Sequence, residues 1–167
     1  KGYYHSKTSE AFFSDIVHIE DPQYQLDSDT LMFNTNTKVT YFYGNTSIYN
    51  EESTIICNNG TYDTKRQVAT FGLNTTILND PQTLWADSLY YEKQNGYGKV
   101  MKSFKWTDDE MKVGLEGTDA EYFEKRKEII SYNRPILNSI IEDDTLFLRG
   151  DTIIARNDST KSFNAFK

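Results

Sequence analysis

The chain has 167 residues, enough for one domain with a sizeable core. Its net charge of −7 and isoelectric point near 4.8 oppose binding to nucleic acid or to an anionic membrane surface, because phosphate contacts need a basic stripe. The single cysteine, Cys57, excludes an intrachain disulfide and a multi-cysteine metal site, and the sequence holds no apolar run of 18 residues for a membrane-spanning helix. Neither observation separates the periplasm from the cytosol.

The composition is typical of β structure. The chain contains 12 Tyr, 10 Phe and 2 Trp, with frequent Thr and Ile and 3 Pro. We therefore predict that half to two-thirds of the residues lie in strands.

A sequence phrase of about thirty residues recurs along the chain. Its clearest copies, Leu26–Phe33, Leu84–Tyr91 and Leu148–Ala155, each start with Leu and have Asp three residues later, before the next apolar pair. A weaker copy spans Ile55–Tyr62. The Asp position falls at 29, 58 and 87, so it repeats every 29 residues. A further copy is expected near residue 119, where either Thr118 or Asp119 takes the Asp position.

The second half of the phrase also repeats. Its copies are Phe12–Ile19, Phe42–Ile48, Phe71–Ile77, the degenerate Val100–Trp106, and Ser131–Ile136. Repetition at this period indicates stacked supersecondary units. We predict one domain over 1–167 with units at 1–22, 23–51, 52–80, 81–108, 109–141 and 142–167. The chain starts and stops partway through a copy, so we expect it to belong to a longer repeat protein or to a trimmed mature form.

Residues 24–50 show how one unit is built. Leu31 and Phe33 alternate with polar residues as in a half-buried strand, and the odd step from Leu26 to Leu31 predicts a bulge or a corner near Asp29. The Asp29 carboxylate is expected to bond nearby backbone amides and hold the bend. A polar turn at 34–37 then leads to a second strand, with Val39, Tyr41 and Tyr43 on one face. Gly44-Asn45 makes a second corner before a third short strand.

Residues 118–131 also suit a helix, because they are rich in Glu and Lys and start with a capping-box pattern. The repeat register predicts strand, turn and strand for the same residues. We favour the register, since tertiary context overrides helix propensity.

The apolar positions of the repeat define a predicted inward series that also includes Ala69. The members expected to line a central space are Leu26, Leu31, Phe33, Val39, Tyr41, Ile48, Ile55, Tyr62, Phe71, Ile77, Leu84, Leu89, Tyr91, Leu148 and Ile153. These side chains either fill one another's space as an ordinary core or border a slot for flexible acyl chains. The sequence leaves both interpretations open.

No pattern in the chain favours catalysis. The HExxH, CxxC and GxSxG motifs and a glycine-rich phosphate loop are missing from the sequence. The acidic runs 108–110 and 142–144 are interpreted as solvated turns rather than Ca²⁺ sites, and His18 as a solvated strand residue. Because Asp29, Asp87 and Asp151 recur once per unit, they indicate structural corners rather than paired catalytic carboxylates. We expect no enzymatic activity, metal or cofactor.

The phrases Leu84–Tyr91 and Leu148–Ala155, with the corner Tyr43-Gly44-Asn45, resemble the repeat of the OstA/LptA-like proteins of lipopolysaccharide transport. The combination of Asp87–Tyr91 with Gly96-Tyr97-Gly98 is similar to the version found in Bacteroidetes-type bacteria. The resemblance covers about five copies, and Asn58 and Lys102 depart from its pattern.

This resemblance implies a half-open, twisted β-jellyroll whose apolar groove takes the acyl chains of lipid A. It also implies a periplasmic location after removal of a leader, and no enzymatic activity. Such a module would join end to end with like-folded proteins at the inner and outer membranes, or with itself. The negative net charge is expected to keep lipid A phosphates outside the groove.

Two other interpretations stay open from the sequence. One is a structural or adhesive β-solenoid with a dry, packed interior. The other, more distant, is a lectin-like surface that binds through Trp85, Trp106 and exposed tyrosines.

Overall fold

The structure is a computed structural model that describes residues 1–22, 24–51, 53–142, 144–156 and 162–167. Its described residues form antiparallel strands and one short 3-10 helix, η1, at Glu124–Arg126. The strands are β1 Gly2–His5, β2 Glu10–Asp21, β3 Tyr24–Asn34, β4 Val39–Tyr49, β5 Thr54–Asp63, β6 Val68–Asn79, β7 Gln82–Glu92, β8 Tyr97–Asp108, β9 Val113–Gly117, β10 Asp119–Phe123, β11 Glu128–Tyr132, β12 Ile136–Ile141, β13 Asp144–Arg149, β14 Thr152–Arg156 and β15 Ser162–Phe166. The all-β, open architecture predicted from the sequence is confirmed.

The long strands β2 to β8 bend near their midpoints. Each neighbouring pair among them shows a register shift there. Residues with positive φ mark the bend in the even-numbered strands, at Asp15 and Ile16, at Gly44, at Leu73 and Asn74, and at Lys102. The second and third strands predicted for each unit are therefore one strand with a bulge. The bulge increases local twist without ending the hydrogen-bonded ladder.

The bend in β3 is the one predicted from the odd spacing of its apolar residues. Its register against β4 shifts between Ser28 and Thr30, where Asp29 alone lies opposite the two residues Gly44 and Asn45. This restores Leu26 and Leu31 to the same side of the strand, and both are buried. The predicted corner near Asp29 is confirmed, and the extra residue of the bulge belongs to β4.

The bends divide the sheet into two arms. Arm A contains the strand halves that end at the turns 6–9, 35–38, 64–67 and 93–96, and arm B contains the other halves. After β8 the sheet splits, because β10, β11, β14 and β15 extend arm A while β9, β12 and β13 extend arm B. Buried residues of both arms belong to one core cluster, so the arms fold toward each other. The result is a V-shaped cross-section with the bends at its corner.

The pairing register shows which residues face the core. In arm A, Leu31, Phe42, Gly60, Phe71 and Leu89 lie opposite one another on successive strands, and the same row continues to Ile153. Side chains alternate between the two faces of a strand. The core side chain of β4 is therefore Phe42.

Val39 and Tyr41 were predicted to point inward, and that prediction is wrong. Tyr41 pairs with Met32 and Thr61, and Val39 pairs with Asn34, on the outer face of arm A. The β4 segment 39–43 has large apolar residues at both parities, so alternation could not identify its core face. Phe42 pairs with the buried Leu31, so the face of β4 that carries Phe42 points to the core.

Residues 118–131 form strand, turn and strand, as the repeat register predicted. They comprise β10, η1 and β11. Asp119 pairs with Tyr132, and Thr30 pairs with Tyr43 at the same place in the unit 24–50. Asp119 is therefore equivalent to Thr30, and Thr118 is equivalent to Asp29. The Asp119 carboxylate accepts hydrogen bonds from Asn133 Nδ2 at 2.8 Å and Thr118 Oγ1 at 2.9 Å.

Candidate functional site: the space between the arms

The space between the arms is closed at the corner. The rows next to the bends are buried in both arms: Leu31, Phe42, Phe71 and Leu89 in arm A, and Thr46, Cys57, Thr75 and Phe104 in arm B. Arm B presents small and polar side chains here, including a Ser28–Thr46 hydroxyl hydrogen bond of 2.8 Å. These two rows seal the corner as an ordinary packed core.

The rows farther from the corner are less covered. In arm A, Phe33, Tyr62 and Tyr91 are half-buried and Tyr122 is 39% exposed. In arm B the corresponding row contains the half-buried side chains Ile48, Ile55, Ile77, Leu84 and Trp106. Along the middle strands burial thus decreases from the corner to the opposite side, which we call the mouth, whereas Leu26 and Leu115, nearer the two ends of the same arm B row, are buried. Apolar rows of both arms thus face a common space, which we call the groove; its side chains are packed at the corner and less covered toward the mouth.

Tyr24 of arm B and Tyr62 of arm A both pack half-buried against the core. The pKa of the Tyr24 hydroxyl is raised by burial, by the charge of Asp21 and by the Tyr62 phenol. Burial and the Asp63 carboxylate raise the pKa of Tyr62. Burial and the neighbouring carboxylates therefore keep both phenols protonated at neutral pH.

Large and small residues alternate along the mouth row of arm A. Tyr62, Ala69, Tyr91, Gly98 and Tyr122 are successive cross-strand neighbours. A Cβ added at Gly98 would lie 3.6 Å from Tyr122 Cβ and 3.7 Å from a Tyr91 ring carbon, which are ordinary contact distances. The space between Tyr91 and Tyr122 at Gly98 is therefore large enough for one methyl group.

Tyr91 is anchored at the mouth by a turn residue. Its hydroxyl donates a hydrogen bond to Glu124 Oε2 at 3.2 Å. Burial, the Glu124 charge and this hydrogen bond raise the pKa of Tyr91 to about 12. The phenol therefore stays protonated at neutral pH and can only donate to that carboxylate.

Most of the predicted inward series is brought together by the structure. Leu26, Leu31, Phe71, Leu89 and Ile153 are buried on the inner face. Other members pack partly buried against the core, namely Phe33, Ile48, Ile55, Tyr62, Ile77, Leu84 and Leu148. Tyr91 lies on the same face, whereas Val39 and Tyr41 lie outside. Whether any of these side chains contacts a lipid stays a prediction.

Sequence reasoning missed four groove residues: Tyr24, Phe42, Trp106 and Tyr122. The signal for Phe42 was present, because Phe13, Phe42 and Phe71 are 29 residues apart and share one row. Trp106 faces Leu84 and Leu115 inside the groove, while Trp85 pairs with Thr76 and Lys105 on the outer face.

Both ends of the stack present open strand edges within the described residues. At one end β1 pairs only with residues 10–13 of β2, which leaves Val17–Asp21 paired with β3 alone. At the other end β13 pairs with β12 and β15 with β14. Large apolar side chains are exposed at these ends, with Ile16 at 82% and Phe147 at 61%. Unpaired edges of this kind accept further strands.

Polar groups elsewhere have structural partners. Asp108 is buried and accepts hydrogen bonds from Gln82 Nε2 at 3.0 Å and Met111 N at 2.8 Å. His18 lies on the outer face of arm B, where hydrogen bonds to Asp27 and Glu20 raise its pKa. Among the described residues, no group of three or more His, Cys, Asp or Glu is placed to hold a metal ion. Asp143, part of one acidic run, lies outside these residues.

Two concave surfaces of the described chain lie outside the groove. One, of about 280 Å³, is lined by Tyr3, His5, Thr8, Glu10, Phe12 and Met32 on the outer face of arm A. The other, of about 320 Å³, lies at the corner between Asn133, Arg134 and Asp151. A search of the described residues for a helix long and apolar enough to cross a membrane finds none.

Solved structures similar to this chain are found, whereas sequence comparisons find none. No protein-family model matches the chain, and no curated protein matches it. A solved structure similar to this one is LptH from Pseudomonas aeruginosa, described as the LptA homologous periplasmic component of the conserved lipopolysaccharide transport device. The identity is 14%, the match covers 85% of this chain and 80% of that chain, and the TM-score is 0.33. A likeness at this level does not establish a shared family or function.

Proposed function

We propose that this protein is a non-catalytic, periplasmic lipid-binding module of a lipopolysaccharide-transport bridge. Its groove would hold the acyl chains of lipid A between the two arms. The observation that carries the proposal is the decrease in burial from corner to mouth, which leaves apolar rows of both arms half-buried and facing the same space. The repeat phrases that resemble the OstA/LptA-like family supply the lipid class and the compartment.

Apolar contact alone is enough to bind such a ligand. An acyl chain that buries about 10 methylenes, at roughly 0.8 kcal/mol each, gains about 8 kcal/mol before the costs of ordering. The rows that include Ile55, Ile77 and Tyr62 offer a matching apolar surface. The groove therefore needs no charged or catalytic group to bind lipid.

The open ends support the bridging part of the proposal. An added strand on Val17–Asp21 or on β13 would complete a ladder and cover exposed apolar side chains. Contacts between two different ends are heterologous and do not close, so they generate linear assemblies. The partners would be like-folded proteins at the two membranes, or further copies of this chain.

A dry structural module is the second candidate function. It is favoured by the closed interior near the later strands, where Leu115 is 1% exposed and Ile153 is 0% exposed. In that case the mouth rows would pack against each other in solution and no lipid would enter.

Lipid binding can be tested with one internal reporter. In a Trp85→Phe background, Trp106 is the remaining tryptophan of the chain and lies inside the groove. Titration with lipopolysaccharide should then change its fluorescence in a saturable manner. The change Ile55→Arg places a charge in the half-buried mouth row and should abolish the response.

The control is the adjacent residue. Ile56 is 42% exposed on the outer face, so Ile56→Arg introduces the same charge one residue away and should leave binding intact. The proposal fails if the wild-type fluorescence does not respond. It also fails if Ile55→Arg and Ile56→Arg behave alike while both remain folded by circular dichroism.

A further inference from the structure

The turns at the two sides of the mouth carry opposite charges. Turns 6–9, 35–38, 64–67, 93–96 and 124–127 of arm A form one side, which we call the basic rim. Their cations are Lys7, Lys38, Lys65, Arg66, Lys93 and the run Lys125–Lys127. Glu124 is the one acidic residue within these five turns, and Glu10, Asp63, Glu92 and Glu128 lie directly beside them, so the rim keeps an excess of cations.

The opposite side, at the ends of the arm B halves, is acidic. Its carboxylates lie at or beside the turns and recur with the repeat: Asp21, Glu51, Asp80, Asp109, Glu110 and Glu142. Lys112 is the cation of the turn 109–112. We call this side the acidic rim. The turns on the two sides of the mouth therefore carry opposite charges, although the chain as a whole has a net charge of −7.

Most cations of the basic rim lack an ionic partner. Within the described part of the chain, no ion pair involves Lys7, Lys65, Lys93, Lys125 or Lys127. Arg66 lies 3.7 Å from Asp63, and Arg126 contacts Glu128 and the Phe123 ring. Glu124 is engaged by the Tyr91 hydroxyl. Because Lys38 also has no ion pair among the described residues, six lysines of the rim remain available for an anion.

The basic rim lies directly beside the apolar rows. Lys38 Nζ is 5.9 Å from the centre of the Phe33 ring, and Phe33 belongs to the half-buried mouth row of arm A. Successive turns of this rim are two strands apart, or about 9.5 Å, since neighbouring strands are separated by about 4.8 Å. Cations therefore follow the groove at regular intervals along its length.

We infer that the basic rim binds the anionic, phosphate-type polar end of an amphiphile whose alkyl chain lies in the groove. The inference rests on the proposed function and adds the head-group chemistry to it. The acidic rim would repel the same anion, so the polar end is held on the arm A side only. Lysine ammonium groups suit this role because each is a compact point charge with three rotatable donors.

A flat anionic membrane is a poorer fit for the same lysines. The two rims border one mouth, so a planar surface that approached the basic rim would also approach the carboxylates of the acidic rim. A single amphiphile in the groove can place its anionic head group at the basic rim, away from the carboxylates of the acidic rim. The geometry therefore favours a ligand inside the groove over a surface outside it.

The test compares two amphiphiles with the same alkyl chain. Dodecyl phosphate and dodecyl maltoside, each below its micelle concentration, are titrated into the Trp85→Phe protein with Trp106 as reporter. The wild-type rim should bind dodecyl phosphate about tenfold more tightly than the maltoside, and the preference should shrink as salt is added. The triple change Lys38→Glu, Lys65→Glu and Lys93→Glu should remove the preference and leave maltoside binding unchanged.

The matched control reverses three lysines on the outer side of β8: Lys99→Glu, Lys102→Glu and Lys105→Glu. It alters the net charge by the same amount and should retain the phosphate preference. The inference is overturned if wild type shows no preference, if the preference survives the rim changes, or if the control loses it equally. In each case maltoside binding would still support the groove itself.

Two further outcomes separate this inference from its alternatives. If neither amphiphile binds, the proposed function fails and the inference fails with it. If the protein cosediments with phosphatidylglycerol vesicles through the basic rim and Ile55→Arg does not weaken this binding, the lysines serve a membrane surface. That result would overturn the inference.

Discussion

The Asp29 carboxylate accepts a hydrogen bond from the backbone N–H of Asn45 at 2.8 Å and joins the two bends of neighbouring strands. The contact leaves no room above Gly44, where an added Cβ would lie 2.6 Å from Asp29 Oδ2. Gly44 also has a φ of +81°. One acidic side chain and one glycine thus form a locked corner between β3 and β4.

Substituting Gly44 should destabilise the fold. Gly44→Ala combines a left-handed φ with a Cβ clash, and we expect it to lower the free energy of unfolding by about 1–3 kcal/mol in urea titrations. Gly98→Ala is the matched control, because its Cβ meets neighbours only at 3.6 Å or more. We expect that control to be neutral or stabilising by up to about 1 kcal/mol. Equal losses in both variants would refute the corner argument.

Stability should fall at alkaline pH because of Tyr91. Its folded-state pKa, raised to about 12 by burial and by Glu124, lies above the usual value of 10.0. The unfolded chain therefore releases this proton first, so the stabilising contribution is fully present below pH 10 and is lost progressively as pH rises to 12.

Because the chain contains 12 tyrosines, the Tyr91 titration is obtained as the difference in phenolate absorbance between the wild type and a Tyr91→Phe variant. Glu124→Gln should lower the pKa of Tyr91 while burial keeps it above that of a free tyrosine. A titration curve unchanged by that substitution would argue against the Tyr91–Glu124 contact.

Cys57 should be inert in the folded protein. Its side chain is 1% exposed at the corner, and burial raises the pKa of the thiol to about 11. Ellman's reagent at pH 8 should modify it only as fast as the protein opens, because the thiolate is the reactive form. The rate should rise sharply across the urea transition. Rapid modification without denaturant would contradict the packing of the corner.

Arg156 should contribute to stability through Glu128. The Glu128 carboxylate is buried and accepts a 2.7 Å hydrogen bond from Arg156 Nε, which joins β11 to β14. Removing the arginine leaves this carboxylate with Arg126 alone, so Arg156→Ala should cost about 1–3 kcal/mol in urea titrations. Arg149→Ala, at an exposed position of the edge strand β13, should change stability little. In a Glu128→Gln background, Arg156→Ala should lower the free energy of unfolding by less than it does in the wild type. An equal loss in both backgrounds would refute the Arg156–Glu128 contribution.

Local sequence spacing was sufficient to predict the corner of β3 and the strands at 119–132. The odd step from Leu26 to Leu31 required a bend between them, and the chain bends at Asp29, which lies opposite Gly44 and Asn45. The apparent helix at 118–131 gave way to the repeat register, because neighbouring strands impose pairing on β10 and β11. In the segment 39–43 the same reasoning misassigned Tyr41, since both faces of that strand are apolar in sequence.

The amino-acid sequence by itself determined the β class, the 29-residue period and the positions of the bends, because each depends on short-range alternation and on residues that tolerate unusual φ values. Tertiary structure alone decided that Phe42 faces the core, that burial weakens from corner to mouth, and that lysines and carboxylates separate onto opposite rims. These features depend on which turns the folded arms bring to the same side of the molecule. Turns far apart along the chain meet there through cross-strand pairing, so neither composition nor net charge could show it.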